Sequence, residues 1–143
     1  MFCGFDGDYA FLSNYWECTV VFDGLQFRSV EAAYQAAKCR NPSERRDFTN
    51  LTPDEAKRLG REVQLRPDWE RAKINIMRSL LHYKFCAHPD LERALLATGD
   101  KELVEGNTWG DTFWGVCNGV GENHLGRLLM EVREALRKKE EET

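Results

Sequence analysis

Helix start and stop signals, separated by only short strand-like stretches, constrain the fold of this chain more than any other feature. Ser29 is a typical N-cap before an apolar helical stripe over residues 30–39. Thr52-Pro53-Asp54-Glu55 reads as a capping box with proline at the first helical position, and that helix should end near Gly60. Three further helices are predicted, which begin at Pro67, begin at His88 and stop at Gly99, and run from about Asn123 to Lys139.

Strand signals are few. Residues 18–22 are β-branched and apolar, Asp23-Gly24 is a hairpin turn signal, and residues 25–28 would form the return strand. Residues 101–104 are predicted as one more short strand. Because helices and strands do not alternate, a doubly wound parallel sheet is not expected. We predict an α+β fold in which a mostly helical single domain, over residues 1–143, surrounds a small β-sheet.

Composition limits the possible environments and partners. No apolar run approaches the roughly 20 residues that span a bilayer, and the first residues are acidic where an export signal would be basic. Five widely spaced cysteines without a CxxC pair predict reduced thiols and a cytoplasmic location. The net charge of −4 argues against a stable complex with nucleic acid. The three histidines form no HxH or HxxxH pair, so we expect no metal and no cofactor.

The most unusual segment covers residues 109–126, which hold two tryptophans, one aspartate, two asparagines and five glycines before an apolar helix pattern. Tryptophan rings stack on bases and sugars, and glycine lets the backbone approach a ligand. N–H groups at the start of the following helix would be open to an anion. Together these features predict a pocket for an aromatic, sugar-bearing, phosphorylated ligand, although a packed turn with two core tryptophans would have the same composition. Asp111 could act as an acid, a base or an acceptor for a sugar hydroxyl, or could bond its own turn.

Three polar residues share one face of the first helix. Glu31, Gln35 and Lys38 follow i, i+4, i+7 spacing, so the carboxylate and the amine lie about 10 Å apart along the axis. They could converge on one ligand in a cleft, or form a solvent-facing stripe. Residues outside this helix are weaker candidates: Ser13 and Asn14 could bind a ligand or close an Asx-type turn. Arg61 and Arg66 have the planar fork that suits phosphate.

Several motifs in register resemble one known family. SVEAAYQAAK, EAKRLGREVQLRPDW, KINIMRSLLHYKF, LLATGDKELVEGN and DTFWGVCNGVGENHLGRLLM together resemble the NADAR (YbiA-like) family, from about Phe5 to Arg133. The resemblance implies an α+β fold rich in helices and N-glycosidase activity. It also implies a small nucleotide-like substrate, either a phosphorylated ribosylaminopyrimidine of the early riboflavin pathway or ADP-ribosylated guanine. A non-catalytic module that binds NAD or ADP-ribose in the same pocket is the alternative.

The resemblance also implies roles for particular residues. The catalytic glutamate and lysine of the family map to Glu31 and Lys38, and its Trp/Asp loop maps to Trp109, Asp111 and Trp114. This chain has Ala32 where many relatives have histidine, and it has no glycine at Val116 or Cys117, where relatives often have one. These differences bear on the choice of substrate. The candidate catalytic residues are Glu31, Lys38 and Asp111. The candidate substrate contacts are Ser13, Asn14, Tyr34, Gln35, Arg61, Trp109, Trp114, Gly115, Asn118, Gly119, Gly121 and Asn123.

Overall fold

The computed structural model describes residues 5–142 of the chain. Within that range it has five α-helices, two 3₁₀ helices and two separate two-stranded sheets, rather than the one small sheet that we expected. The helices are α1 (Val30–Ala37), α2 (Pro53–Gly60), α3 (Trp69–Ala87), α4 (Pro89–Ala97) and α5 (His124–Glu141), and the 3₁₀ helices are Gly7–Leu12 and Pro42–Phe48. The strands are β1 (Val20–Phe22), β2 (Leu25–Phe27), β3 (Gly106–Asn107) and β4 (Val116–Cys117). The chain divides into two compact units, residues 14–84 and residues 5–13 with 85–142.

In residues 14–84, local signals act as predicted. Asp23 and Gly24 have φ values of 52° and 74°, as a tight turn requires, and β1 pairs with β2 in antiparallel register. The Ser29 hydroxyl accepts a hydrogen bond from the Ala32 N–H at 3.1 Å and so caps α1. The predicted hairpin and N-cap are therefore confirmed, and they fix where α1 begins.

The helix α1 is the centre of this unit, because all eight of its residues are buried. Four of those residues are alanines, and their small side chains allow α2, the second 3₁₀ helix and both strands of the hairpin to pack around it. The predicted capping box of α2 is present, with reciprocal bonds between Thr52 and Glu55. On another side, the rings of Tyr34 and Trp69 lie 5.1 Å apart. The helix was predicted as amphipathic, whereas it is enclosed by its neighbours.

In the second unit, α5 packs along α4 and closes its carboxyl end. Gly99, with a φ of 64°, stops α4 as predicted. Arg133 donates to the Thr98 hydroxyl at 2.9 Å, and Arg137 donates to the Gly99 carbonyl at 2.8 Å. The C-terminus of a helix carries partial negative charge, and the positive charges of these arginines interact favourably with it at the end of α4. The two arginines therefore stabilise the pair of helices.

The predicted strand over residues 101–104 is wrong. That segment has no regular structure, and β3 begins only at Gly106, where it pairs in parallel with β4. The side chain of Asn123 occupies the backbone groups that a strand would use. Its amide donates to the Leu103 carbonyl at 3.0 Å, and its oxygen accepts from the Glu105 N–H at 2.9 Å.

Three further observations bear on the sequence predictions. Over residues 5–142, no helix has the length and apolar character needed to cross a membrane. In the same range, no three His, Cys, Asp or Glu side chains are grouped in a way that could hold a metal ion. Free thiols are present at Cys18, Cys39, Cys86 and Cys117, while Cys3 lies outside the described residues.

One buried charge gives this fold a defined pH dependence. Lys84 on α3 is fully buried, and burial lowers the pKa of its amine to about 8, although the nearby Cys18 thiol acts in the opposite direction. Between about pH 8 and the ordinary lysine pKa near 10.4, the unfolded chain therefore binds more protons at this residue than the folded chain. The free energy of unfolding should rise with pH across that window because of Lys84.

We expect Lys84→Met to remove this rise and to stabilise the protein at pH 7 by about 1–3 kcal/mol, because a methionine carries no charge into the core. Urea unfolding of both proteins at pH 7 and at pH 9.5 measures the effect. Lys139→Met, at an exposed position of α5, is the matched control and should behave like the wild type. Equal pH dependence in Lys84→Met and wild type would contradict the prediction.

Candidate active site

Glu31 is held almost entirely out of solvent in the first turn of α1. Its side chain is 8% exposed, and one carboxylate oxygen accepts a hydrogen bond from the Gln35 amide at 3.2 Å. The N–H of Glu31 donates to the Asn14 carbonyl at 3.0 Å, which ties the early loop to this turn. Gln35 is itself only 4% exposed. A solvent-facing stripe is therefore the wrong interpretation for these two residues.

Lys38 lies at the C-terminal cap of α1, on the same helix face. Its ammonium nitrogen is 5.8 Å from the centroid of the Tyr34 ring, within the range of a cation–π contact. Burial lowers the pKa of this amine, Glu31 raises it, and the positive charges of Lys57, Arg61 and Lys73 lower it further. The pKa is lowered on balance, so the neutral amine, which is the nucleophilic form, is more accessible than in an exposed lysine.

Gln35 connects Glu31 to the end of α2. A Cβ atom built on Gly60 would fall on the amide oxygen of Gln35 and lie 2.8 Å from its amide carbon. The absence of a side chain at Gly60 thus lets α2 close on α1 while Gln35 still reaches Glu31. In this structure Gln35 orients the carboxylate, and its predicted role as a substrate contact stays a prediction.

This packing makes Gly60→Ala an informative variant. Replacing a helical glycine by alanine usually stabilises a helix by up to about 1 kcal/mol. Here we expect the added methyl group to cost about 1–3 kcal/mol because it overpacks against Gln35. We also expect the rate to fall on the order of 10- to 100-fold, since the Glu31 carboxylate loses its orienting partner. Chemical unfolding and steady-state kinetics measure the two effects.

The double variant Gly60→Ala/Gln35→Ala is the control for this argument. It restores space for the methyl group, so stability should recover, but it leaves Glu31 without the Gln35 amide, so the rate should stay low. Recovery of both stability and rate would show that Gln35 does not orient Glu31.

Near Glu31 and Lys38 lies a cavity of about 400 Å³ that is open to solvent and lined by Tyr15, Asp54, Lys57, Arg58 and Arg61. The Tyr15 hydroxyl bonds the Asp54 carboxylate. Burial, the Glu31 charge and this bond raise the pKa of Tyr15 far above its usual range, so the phenol stays neutral.

Only Arg61 of these lining residues was a sequence candidate. The i, i+4 spacing of Lys57 and Arg61 was a sequence signal for Lys57, because it places two cations on one helix face. The other predicted arginine, Arg66, is held by both oxygens of Asp68, at 2.6 and 2.9 Å. This ion pair already occupies the planar fork that would bind a phosphate.

In the second unit, Asp111 holds together the backbone of the loop that contains Trp109 and Trp114, which we call the tryptophan loop. One of its carboxylate oxygens accepts from the N–H groups of Phe113 and Trp114, at 3.1 and 2.9 Å. Its backbone N–H and carbonyl bond the side chain of Asn107 at 3.0 and 2.8 Å. These contacts are those of an Asx-type turn. These contacts give Asp111 a structural role in shaping the loop, and its catalytic role stays a prediction.

The start of α5 is closed by the same loop. The N–H groups of His124 and Leu125 donate to the carbonyls of Phe113 and Trp114, at 3.1 and 3.0 Å. The expectation that these N–H groups are open to an anion is therefore wrong. Asn123 precedes them with a φ of 52°, and its side chain bonds the backbone of residues 103 and 105.

The remaining loop candidates are packed or turn residues. Side chains at Gly115 and Gly121 would collide with backbone carbonyls of Glu105 and Gly115. Asn118 and Gly119, with φ values of 53° and 80°, are the two central residues of a tight turn closed by mutual bonds between Cys117 and Val120. An Asn-Gly pair is a strong turn signal in sequence. Contacts of these four residues with substrate stay predictions.

The aromatic side chains of the loop differ in exposure. Trp114 is half-buried, with its ring 4.9 Å from that of Phe113 and 6.3 Å from that of His124. Trp109 is 59% exposed, which makes it the more accessible surface for stacking on a base. Ser13 lies in the same unit as the loop, and its N–H closes the first 3₁₀ helix.

Comparison with known proteins identifies the family. The model of the NADAR domain matches residues 1–137. The chain belongs to the NADAR family. The solution structure of YbiA from E. coli has the same fold, with a TM-score of 0.88 and 36% sequence identity over 99% of this chain and 86% of that chain. The predicted α+β, helix-rich fold and the family resemblance are both confirmed.

Curated members of the family carry enzyme names. The chain is 40% identical to N-glycosidase Npun_R5314 of Nostoc punctiforme, over 90% of this chain and 86% of that protein. It is 38% identical to N-glycosidase YbiA of Escherichia coli, over 90% and 82%. Riboflavin biosynthesis protein VVA0006 of Vibrio vulnificus is also 38% identical, but the match covers 92% of this chain and only 36% of that protein. These relatives confirm the predicted enzyme class, a hydrolase that acts on N-glycosyl bonds.

Proposed function

We propose that this chain hydrolyses the C–N glycosidic bond of a phosphoribosyl or ADP-ribosyl substrate. The substrate class is either a ribosylaminopyrimidine phosphate of the riboflavin pathway or ADP-ribosylated guanine. The observation that carries the proposal is the pairing, on one helix, of the nearly buried Glu31 carboxylate with the Lys38 amine, whose pKa is lowered. The N-glycosidase and riboflavin-biosynthesis names of the relatives support it.

The carboxylate of Glu31 meets the main electrostatic demand of this reaction. As the C–N bond breaks, positive charge develops on the anomeric carbon of the ribose. A fixed carboxylate in a site from which water is largely excluded stabilises that charge more than it would in water. The same group can instead take a proton from the attacking water. In either case the bond to Gln35 keeps the carboxylate oriented.

The amine of Lys38 offers a covalent route. The neutral nitrogen attacks the anomeric carbon, the base leaves with a proton, and the sugar ring opens to give a Schiff base between that carbon and the lysine. Water then hydrolyses the Schiff base, which releases the free sugar and restores the amine. Glu31 is the neighbouring group that can accept and return protons in these steps. The net reaction consumes one water in this route, as it does in direct hydrolysis.

The loop residues complete the proposal. Trp109 would stack on the base and Trp114 would close over the sugar, while Asp111 holds the backbone between them. The odd number of widely spaced cysteines supports a cytoplasmic location for this reaction.

Release of a free base from candidate N-glycosides tests the proposal. Purified protein is incubated with each ribosylaminopyrimidine phosphate and with a DNA oligonucleotide that carries ADP-ribosylated guanine. Chromatography then follows the base, and a reducing-sugar assay follows the ribose. The expected result is release of both from one class of substrate. Tight binding of these compounds or of NAD without any turnover would favour the alternative, a non-catalytic binding module.

A further inference from the structure

The cavity at α2 carries an excess of positive charge. Lys57, Arg58 and Arg61 line it together with a single carboxylate, that of Asp54, and with the neutral phenol of Tyr15. Asp54 accepts a hydrogen bond from Tyr15, so part of its acceptor capacity is already in use. A volume of about 400 Å³ lies within the range of small-molecule sites. Such a lining suits a compact anion.

The cavity is adjacent to the proposed reaction centre. Gln35 donates to Glu31 and packs on Gly60, and Arg61 directly follows Gly60 at the C-terminal cap of α2. Charge effects show the same proximity, because Arg61 acts on both Lys38 and Tyr15, and Glu31 acts on the same two groups. An anion bound here would therefore lie near the Glu31 carboxylate and the Lys38 amine.

The two other anion-binding positions that the sequence suggested, the start of α5 and Arg66, are already occupied by contacts within the protein. The first N–H groups of α5 bond the tryptophan loop, and Arg66 is engaged by Asp68. Arg58 and Arg61, in contrast, have no carboxylate within ion-pair distance among residues 5–142. The two arginines of the α2 cavity are therefore the guanidinium groups that a phosphate could engage here.

We propose that this cavity, lined by Lys57, Arg58, Arg61 and Tyr15, binds the phosphate on the 5′ oxygen of the substrate ribose. The inference rests on the proposed function and adds a specificity determinant to it. A phosphate monoester carries a charge of about −1.5 to −2 at pH 7, which matches the excess of two cations in the lining. Arginine binds two phosphate oxygens at once, while lysine acts as a point charge. The enzyme should therefore select ribosides that carry a 5′-phosphate group over those that lack it.

Binding of sugar phosphates to the intact protein tests the site without any turnover. Calorimetric titration with ribose 5-phosphate, ribose and ADP-ribose should show binding of the phosphorylated compounds and none of ribose. Arg61→Gln and Arg58→Gln should each weaken binding of ribose 5-phosphate on the order of 10-fold. Arg93→Gln, on the exposed face of α4, makes the same charge change outside the cavity and should bind as the wild type does. Tighter binding of ribose 5-phosphate assigns the site to a terminal monoester, and tighter binding of ADP-ribose assigns it to a pyrophosphate.

Two results would overturn the inference. One is the absence of ribose 5-phosphate binding to the wild type, or binding that Arg61→Gln, Arg58→Gln and Arg93→Gln all leave unchanged. The other is equal kcat/KM for a phosphorylated substrate and its dephosphorylated form. The second result would leave the proposed N-glycosidase function intact. Conversely, phosphate binding that depends on Arg61, without release of base from any N-glycoside, would preserve this site and remove the proposed function.

Discussion

Glu31→Gln should lower the rate of N-glycosidic bond cleavage on the order of 100-fold or more and leave the fold intact. Glutamine keeps the shape of the side chain and retains an oxygen that can accept the hydrogen bond from Gln35. Only the negative charge is lost, and with it the stabilisation of the developing positive charge on the ribose. Single-turnover kinetics on the substrate identified by base release measure this loss directly.

The matched control for this variant is Glu44→Gln, which makes the same chemical change at an exposed position of the second 3₁₀ helix. It should retain the wild-type rate. Thermal unfolding of Glu31→Gln should show a folded protein. An unchanged rate in Glu31→Gln would remove the carboxylate from the mechanism.

Lys38→Arg should be inactive if Lys38 is the nucleophile, with a rate loss of at least about 1000-fold. Arginine keeps the positive charge over the Tyr34 ring but forms no Schiff base with the sugar. Borohydride added to the wild type during turnover should trap a reduced sugar adduct, which mass spectrometry of tryptic peptides should locate on Lys38. The trapped mass should be absent from Lys38→Arg. A near-normal rate in Lys38→Arg without an adduct would make Lys38 a substrate-binding cation and leave Glu31 to activate water alone.

The pH profile gives a second readout of the same mechanism. A nucleophilic amine acts in its neutral form, so the rate should rise with pH up to the pKa of Lys38, which burial lowers. Glu31 opposes this lowering by stabilising the ammonium form. The residual activity of Glu31→Gln should therefore rise at lower pH than that of the wild type. If the rate of Glu31→Gln rises over the same pH range as that of the wild type, the pH dependence does not come from Lys38.

Ala32 is a residue at which the chain departs from the pattern that the family resemblance implies. The resemblance implies a histidine directly after Glu31 in many relatives, whereas this chain has Ala32, which is fully buried in α1. A buried alanine fits the close packing around this helix. We predict that this difference bears on which base or sugar the enzyme accepts, and comparison of substrates with different bases is the measurement that checks it.

Local chemistry determined which segments fold into helices and where they begin. The Ser29 cap, the Asp23-Gly24 turn, the Thr52–Glu55 capping box and the Gly99 stop each involve bonds or φ angles within a few residues. Such signals are legible in sequence because both partners lie in the same short segment. The shared helix face of Glu31, Gln35 and Lys38 follows from the helical repeat for the same reason.

The tertiary structure decided which of these residues are buried and what they contact. The sequence pattern left Glu31 and Gln35 as possible solvent-facing residues, and only the packing of α2 on α1, through Gly60, shows why they are enclosed. The tertiary structure also places Tyr15 beside the cations of α2, although they are about forty residues apart in the chain. Residues 101–104 do not form a strand, and Asn123, about twenty positions away, bonds the carbonyl of Leu103 and the N–H of Glu105 instead. The burial of a side chain, its hydrogen-bond partners and the charges near it depend on contacts between distant segments. A periodic pattern in the sequence carries no information about such contacts.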